Sequence, residues 1–224
     1  MLWITAISDT HTMHDDLDGM PTSGDILIHC GDFSGHSYPE ELIEFNRWLS
    51  TLQYKHKILV PGNHDRIFER NEKLARELIP EATILIDQSV EIEGIKIYGS
   101  PWTPKFGHWS FMRPIADLKE KWENIPSGID ILVTHGPPKG ILDEVVRYCP
   151  HFNGHEIEHT GCPHLFNKVM EVSPQYHVFG HIHEGYGAKA VNGTVFLNVA
   201  CLNERYQPVN SVTVFGIENT RKDK

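Results

Sequence analysis

The chain passes from an apolar run into a polar turn at Ile58-Leu59-Val60-Pro61-Gly62-Asn63-His64-Asp65. The apolar residues are typical of a buried strand, and the proline-glycine pair marks its end. Four further segments place acidic or imidazole side chains after an apolar run: Ser8-Asp9-Thr10-His11, Gly31-Asp32, Thr134-His135-Gly136 and Gly180-His181-Ile182-His183. Because a folded sheet brings distant strand ends together, the five segments predict one polar site.

Alternation of strands and helices indicates an α/β fold. The predicted strands are Leu2–Ser8, Asp25–Cys30, His56–Pro61, Thr83–Asp87, Val90–Gly99, Asp130–Thr134, Tyr176–Gly180, Gly187–Val199 and Asn210–Gly216. The predicted helices are Pro39–Leu52, Arg66–Ile79, Ile115–Trp122 and Cys162–Val172. Asn192-Gly193 favours a two-residue hairpin, because both turn positions need positive φ. Helices between the early strands and hairpins among the later ones predict two mixed sheets packed together with helices outside.

Length and composition predict one domain, spanning residues 1–224, with a substantial core. No apolar run reaches the roughly 18 residues that a membrane-spanning helix needs, and the N-terminus has no signal-peptide pattern. The four cysteines are widely spaced and form no CxxC motif. We therefore expect free thiols, a reducing compartment and a cytoplasmic protein without a membrane partner.

The formal net charge of -10 argues against tight binding to long nucleic acids, whose affinity comes largely from Lys and Arg side chains. It does not exclude a small phosphorylated substrate. Two divalent cations would add about four positive charges at the site, and the local charge decides binding there.

The residue types at the five strand ends suit a pair of divalent metal ions. Asp32 is the candidate bridging ligand, since one carboxylate between two cations offsets their repulsion. One ion would be completed by Asp9, His11 and His183, and the second by Asn63, His135 and His181. Without thiolates, the set suits Mn, Fe, Zn, Co or Mg, and we favour Mn.

Together these motifs resemble the calcineurin-like metallophosphoesterase superfamily, whose pattern is D-x-H, G-D, G-N-H-[DE], a lone H and G-H-x-H. Further segments are similar to its small metallophosphoesterase-domain proteins, a group like the class III cyclic nucleotide phosphodiesterases. These segments are Gly31–Ser34, Glu44–Leu49, Tyr98–Trp102, Gly180–Gly187 and Gln207–Asn210. The resemblance covers about Leu2 to Ala200 and departs from the pattern at no ligand position. It implies a four-layer α/β/β/α sandwich and hydrolysis of phosphoesters, with a water or hydroxide between the metals attacking phosphorus.

The resemblance also implies that His64 is not a metal ligand. It would act in catalysis, by protonating the leaving oxygen or by stabilising charge on the phosphoryl group. Asp65 has two interpretations. Its carboxylate would hold the His64 ring in one tautomer, or it would cap the helix that begins at Arg66.

Candidate substrate-binding residues follow the strand that ends near Gly99. The segment 101–111 is rich in aromatic rings, and we expect Phe106 and Trp109 to stack on a nucleobase, whereas Trp102 packs the loop. Arg113 would contact a phosphate or form a surface salt bridge. The histidines between His151 and His164 favour a polar lid over an additional metal site, because their spacing matches no standard pattern.

The leading hypothesis is therefore a dinuclear-metal-dependent phosphodiesterase that hydrolyses small nucleotides, including cyclic ones. One alternative is a phosphomonoesterase acting on nucleotides or phosphoproteins, since the same site performs both reactions. A second alternative, from a different class, is a non-catalytic metal-binding scaffold. The intact ligand set and His64 argue against the scaffold.

Overall fold

The computed structural model describes residues 1–149 and 154–218. Its strands are β1 (Leu2–Ile7), β2 (Ser23–His29), β3 (Gln53–Leu59), β4 (Thr83–Ile84), β5 (Gln88–Ile92), β6 (Ile95–Ser100), β7 (Thr103–Pro104), β8 (Met112–Arg113), β9 (Ile131–Thr134), β10 (Glu144–Cys149), β11 (Gly154–His159), β12 (Tyr176–Phe179), β13 (Gly187–Val191), β14 (Thr194–Asn198) and β15 (Thr213–Ile217). Two mixed sheets have the strand orders β15-β1-β2-β3-β4 and β13-β14-β12-β9-β6-β5. Their inner strands are parallel, and β5, β13 and β15 pair antiparallel at edges.

The two sheets pack face to face through alternate residues of their strands. Ile26 and Ile28 of β2 lie in the same buried cluster as Ile97 of β6 and Val133 of β9. Leu27, between the first two, points to the opposite side and joins a separate cluster with the helices. This period of two is what a pleated strand imposes, and it gives each sheet an inner and an outer apolar face.

Helices cover the outer faces of both sheets. They are α1 (Pro39–Thr51), α2 (Ile67–Arg70), α3 (Glu72–Leu78), α4 (Ile115–Glu123) and α5 (Pro163–Val172). Helix α1 packs beside α3, and α4 packs beside α5. The predicted α/β/β/α sandwich is therefore confirmed. None of the helices in the described ranges has the length and apolarity needed to cross a membrane.

Helix α1 shows how local sequence fixes an element. Pro39 occupies the first turn, where the missing N–H costs nothing, and the Glu41 carboxylate accepts a hydrogen bond from the Tyr38 N–H at 2.9 Å. Phe45 and Trp48 lie on the buried face, so the stripe that contains them is core.

The predicted helix Arg66–Ile79 is wrong as one element. It is broken at Asn71, whose φ of -152° is not helical and whose side chain accepts a hydrogen bond from the Leu74 N–H, at 3.3 Å, to start α3. Asparagine favours this cap over a helix interior, because its side chain competes for backbone donors. The break leaves the one-turn helix α2 directly after His64 and Asp65.

The stretch His151–His164 was expected to be a polar lid. Part of it belongs to β11, which pairs with β10 in a two-stranded hairpin outside both sheets, and His164 lies on α5. The polar lid stays a prediction. His151 lies outside the described residues. Within the part that is described, no cluster of metal-ligand atoms involves this stretch, so the additional metal site has no support.

Candidate metal centre

The predicted metal ligands all lie just beyond the carboxyl ends of parallel strands. They follow β1 (Asp9 and His11), β2 (Asp32), β3 (Asn63), β9 (His135) and β12 (His181 and His183). Four of them turn sharply out of the strand direction into the left-handed region, with φ of 55° at Asp9, 41° at His11, 55° at Asp32 and 70° at His181. Such conformations cost about 1–3 kcal/mol each in residues other than glycine, and they cluster at functional sites.

Two glycines make room for the carboxylates. A Cβ atom added to Gly62 would collide with the Asp32 carboxylate, and one added to Gly180 would collide with that of Asp9. The glycines of the Gly-Asn-His-Asp and Gly-His-x-His segments are therefore required by the close approach of the backbone to the site.

One group of donor atoms comes from Asp9, His11 and His183, and these atoms lie within 4.8 Å of one another. The Asp9 Oδ1 atom lies 3.6 Å from His183 Nε2. Asp9 Oδ1 and His11 Nε2 are both buried and have no hydrogen-bond partner. Buried polar atoms are rarely left unpaired, so the two orphaned atoms fit a metal ion at this position.

A second group is formed by Asp32, His135 and His181, also within 4.8 Å. His135 Nε2 lies 3.3 Å from Asp32 Oδ2 and 3.0 Å from Asn63 Oδ1. All four predicted residues of the second ion are therefore brought together. The carboxylate, amide oxygen and imidazoles form a donor set of the kind that divalent transition metals take.

Asp32 connects the groups. Its donor atoms also cluster with those of His11 and His64, and Asp32 Oδ1 accepts a hydrogen bond from the His64 N–H at 2.7 Å. A carboxylate shared between neighbouring ligand groups is the arrangement that a bridging ligand requires.

Backbone carbonyls orient two of the imidazoles. His135 Nδ1 donates to the Cys30 carbonyl at 2.8 Å, and His183 Nδ1 donates to the Asn203 carbonyl at 2.8 Å. Because a carbonyl only accepts, Nδ1 carries the proton in both rings. Each Nε2 is thereby directed into the site as a metal ligand.

The carboxylates and imidazoles of the site shift one another's pKa values. Burial opposes ionisation of Asp9, but its pairing with His183 outweighs this and lowers the Asp9 pKa below its usual range. Burial likewise opposes ionisation of Asp32, and the charge of His135 lowers its pKa. Although burial disfavours charged imidazoles, these carboxylates raise the pKa of His135 and of His183 to about 9. Metal binding must therefore displace protons.

His64 lies at the edge of the metal centre. Its Nδ1 donates to the Gly35 carbonyl at 2.7 Å, which leaves Nε2 free. Its ring stacks on Trp109 at 4.2 Å between centroids and meets the edge of His11 at 4.6 Å. His64 Nε2 is therefore available to contact a substrate beside the candidate metal ligands.

Both interpretations of Asp65 are wrong. Its buried carboxylate contacts neither the His64 ring nor the start of α2, where the cap residue is Arg66. It accepts hydrogen bonds from the N–H groups of Asp32 at 2.8 Å, Ser34 at 3.1 Å and Gly62 at 2.7 Å, and from Ser34 Oγ at 2.7 Å. Burial and the charge of Asp32 raise its pKa to about 7. Asp65 therefore ties two ligand-bearing turns together.

The predicted substrate-binding residues separate into two kinds. Phe106 is exposed and lies 5.4 Å from the His181 ring, whereas Trp109 is stacked on His64 and also contacts the Arg66 guanidinium at 4.3 Å. Arg113 is correctly described by its alternative interpretation, since it pairs with Glu69 at 3.2 Å and covers the Trp102 ring. Its predicted contact with phosphate has no support in these contacts.

Tyr206 was missed by the sequence analysis. Its ring meets His11 at 4.9 Å and His183 at 5.2 Å between centroids, and 52% of its surface is exposed. The Asn203 side chain accepts hydrogen bonds from the backbone of Arg205 and Gln207 and so shapes the turn that presents Tyr206. The sequence around Asn203 does indicate a turn. It does not indicate that this turn places Tyr206 beside His11 and His183.

A cavity of about 480 Å³ adjoins the metal centre on the side of His181. Its lining includes Phe106 and its neighbours, residues of the β10–β11 hairpin, and Ile182. This volume lies in the range of small-molecule sites. A substrate bound there would have its reacting group next to the second ligand group.

Comparisons with known proteins agree with this geometry. Residues 2–185 match the family described as calcineurin-like phosphoesterase. The human metallophosphoesterase domain-containing protein 1 is 39% identical over 240 residues, covering 96% of this chain and 71% of its own length. A Caenorhabditis elegans protein of the UPF0046 group is 36% identical, covering 94% of this chain and 79% of its own.

Solved structures share the fold at low identity. One crystal structure superposes with a TM-score of 0.63 at 18% identity, covering 88% of this chain and 89% of its own. Thermus thermophilus TT1561 gives a TM-score of 0.57 at 15% identity, covering 88% of each chain. With the match over residues 2–185 and a metal centre built from its motifs, the chain belongs to the calcineurin-like phosphoesterase family of metal-dependent phosphoric ester hydrolases.

Proposed function

We propose that the chain is a phosphodiesterase that hydrolyses small nucleotides, including cyclic ones, with manganese as the favoured metal. The observation that carries the proposal is the position of Asp32, shared between two ligand groups and hydrogen-bonded to the backbone of His64. A bound pair of divalent cations supplies Lewis-acid charge to phosphoryl oxygens and lowers the pKa of water.

The protein's own residues position the reaction. Asp9, His135 and His183 offer oriented ligand atoms, and the buried strand ends exclude bulk water from behind the site. His64 Nε2 would donate a proton to the leaving oxygen, while Nδ1 remains held by the Gly35 carbonyl. The two candidate substrate-stacking rings differ in use. Phe106 is free to stack on a base, and Trp109 supports His64.

The proposal extends to partners and compartment. A small phosphorylated substrate fits a cavity of about 480 Å³, whereas the net charge of -10 disfavours long nucleic acids. Cys30, Cys162 and Cys201 are buried free thiols, and the structure does not describe the Cys149 side chain. Free thiols support a reducing compartment, for which we propose the cytoplasm.

Two model esters test the proposal. Metal-stripped protein is reloaded with Mn, and turnover of bis-p-nitrophenyl phosphate is compared with that of p-nitrophenyl phosphate. We expect the diester to be hydrolysed faster, and a panel of cyclic nucleotides then identifies the substrate. Faster hydrolysis of the monoester would replace the proposal by a phosphomonoesterase. Two bound metals without turnover of either ester would favour the non-catalytic scaffold.

A further inference from the structure

The cavity beside His181 has a lining that the hydrolysis of a simple diester does not use. Its lining includes Lys105 and Phe106, Lys139, and the hairpin residues Arg147 and Glu158. None of these residues is a candidate metal ligand, so a group bound against them would belong to a part of the substrate that does not react.

The charges on this lining differ from those of the whole protein. Arg147 is neutralised by Glu158, since Nε lies 2.6 Å from Oε2. Within the described residues, Lys105 and Lys139 form no salt bridge, and the remaining carboxylate of the lining is Glu184. With histidine taken as neutral, the cavity has a net positive charge in a chain whose net charge is -10. Such local fields attract anions.

The backbone that presents these lysines is fixed. The completely buried Asp143 carboxylate accepts hydrogen bonds from the N–H groups of Gly140 and Gly161, both at 3.0 Å, and from His159 Nδ1 at 2.7 Å. It thereby joins the segment next to Lys139 to the base of the hairpin. The Lys105 N–H donates to the Arg113 carbonyl at 2.9 Å. These hydrogen bonds position the backbone that carries the two lysines.

We propose that Lys105 and Lys139 bind a second phosphate of the substrate, so that the protein prefers nucleoside phosphodiesters that carry an additional phosphate monoester. The inference rests on the proposed phosphodiesterase function and names its substrate class. The reacting diester occupies the metal centre, the nucleoside lies along the cavity with Phe106, and the extra phosphate lies between the lysines. Glu184 opposes this binding and limits its strength.

The test compares two substrates that differ by one phosphate. They are the p-nitrophenyl ester of thymidine 5′-monophosphate and the same ester with a 3′-phosphate, assayed on manganese-loaded protein. We expect a higher kcat/KM for the 3′-phosphorylated ester, and a preference that declines with added salt. Lys105→Gln and Lys139→Gln should each reduce the preference roughly threefold, as expected for a solvent-exposed ion pair.

Matched variants separate a local from a global charge effect. Lys73→Gln removes the same charge from α3, where the side chain is 87% exposed and away from the cavity, and should leave the preference unchanged. Glu184→Gln should increase the preference. Equal kcat/KM for the two wild-type substrates, or a preference that survives the double variant Lys105→Gln/Lys139→Gln, would overturn the inference.

A binding measurement keeps this inference separate from the proposed function. Adenosine 3′,5′-bisphosphate and adenosine 5′-monophosphate are titrated calorimetrically into the manganese-loaded His64→Gln variant. The bisphosphate should bind more tightly, and the double lysine variant should remove the difference. If no diester is hydrolysed, the phosphodiesterase proposal fails, yet the same titration still decides whether the lysines bind a second phosphate. Equal affinities would overturn the lysine site.

Discussion

The metal centre and the cavity next to it are built in different ways. Ligands such as Asp9 and Asp32 are buried, and their backbones are fixed by turns that glycines make possible. The cavity is lined instead by long exposed side chains such as Lys105 and Lys139. Substitution of a ligand in the metal centre should therefore abolish metal binding and turnover. Substitution of a cavity residue should instead reduce substrate binding or turnover partially.

The largest effect is expected from Asp32→Asn, which removes the shared negative charge and keeps the shape. Both metal ions should be lost, and turnover should fall by roughly a thousandfold or more, since Lewis-acid charge contributes several kcal/mol to the transition state. Metal content by mass spectrometry and kcat are the measurements. Retention of two ions would refute the bridging role.

His64→Gln should preserve metal content and lower kcat by about 10²–10⁴-fold, because a positioned proton donor contributes that much. His108→Gln is the matched control, since His108 is exposed on the aromatic segment and has no described contact with a ligand. Unchanged kcat in the His64 variant, with both metals bound, would remove His64 from the mechanism.

Metal affinity should depend on pH in the direction set by His135 and His183. Their pKa values are raised from 6.5 to about 9 in the metal-free fold, which means that protonation of these imidazoles stabilises this fold. This stabilisation is fully present below pH 6.5 and is lost as the pH rises through 9. Metal binding needs neutral imidazoles, and Mn affinity should therefore rise over this range, about tenfold per pH unit for each proton displaced.

The measurement is the difference in Tm between manganese-loaded and chelator-treated protein, followed from pH 6.5 to 9. This difference should increase with pH, because the metal-free protein loses stability while the metal-bound form gains affinity. A difference that shrinks with pH would contradict the charge state that we assign to His135 and His183.

Trp109→Leu tests whether the indole supports His64 or binds substrate. A stacked aromatic pair is worth about 0.5–1.5 kcal/mol, so we expect kcat to fall by up to roughly tenfold with KM nearly unchanged. Trp109→Phe should restore part of the loss. If KM rises while kcat is retained, Trp109 contacts the substrate as the sequence analysis expected.

The smallest effect is expected from Arg113→Gln. Its partner is Glu69 at 3.2 Å, and both side chains are partly exposed, so the pair contributes only about 0.2–1 kcal/mol to stability. We expect kcat and KM to change by less than about twofold. A large increase in KM would show that Arg113 contacts the substrate, which its described contacts do not indicate.

The same contrast explains how much the sequence alone could predict. The candidate metal ligands could be grouped from the sequence because each follows a strand closely, and parallel strands place their carboxyl ends at one edge of the sheet. The two packed sheets were predicted from the order of strands, helices and hairpins, and the four-layer sandwich was implied by the family resemblance.

Other features depend on contacts between distant segments. The role of Asp65 could not be predicted, because its donors belong to turns near Asp32 and Gly62 that meet only in the fold. The β10–β11 hairpin was missed, since Val146 and Ile157 lie opposite each other with exposed rather than buried side chains. Without a buried face, the alternation that marks a strand carries little signal.

The contact between Asp9 and His181 also has a consequence for folding. The Asp9 carboxylate accepts a hydrogen bond from the His181 N–H at 2.8 Å, across 172 positions of sequence. Contacts of such separation require the two sheets to be docked, and they form late and slowly. A chain interrupted before β12 would therefore lack the complete ligand set. Bound metal would stabilise the completed fold but not folding intermediates in which the ligands are still apart. Metal occupancy of a purified sample is thus a lower bound on the fraction of molecules whose two sheets have docked, since metal-free molecules also fold.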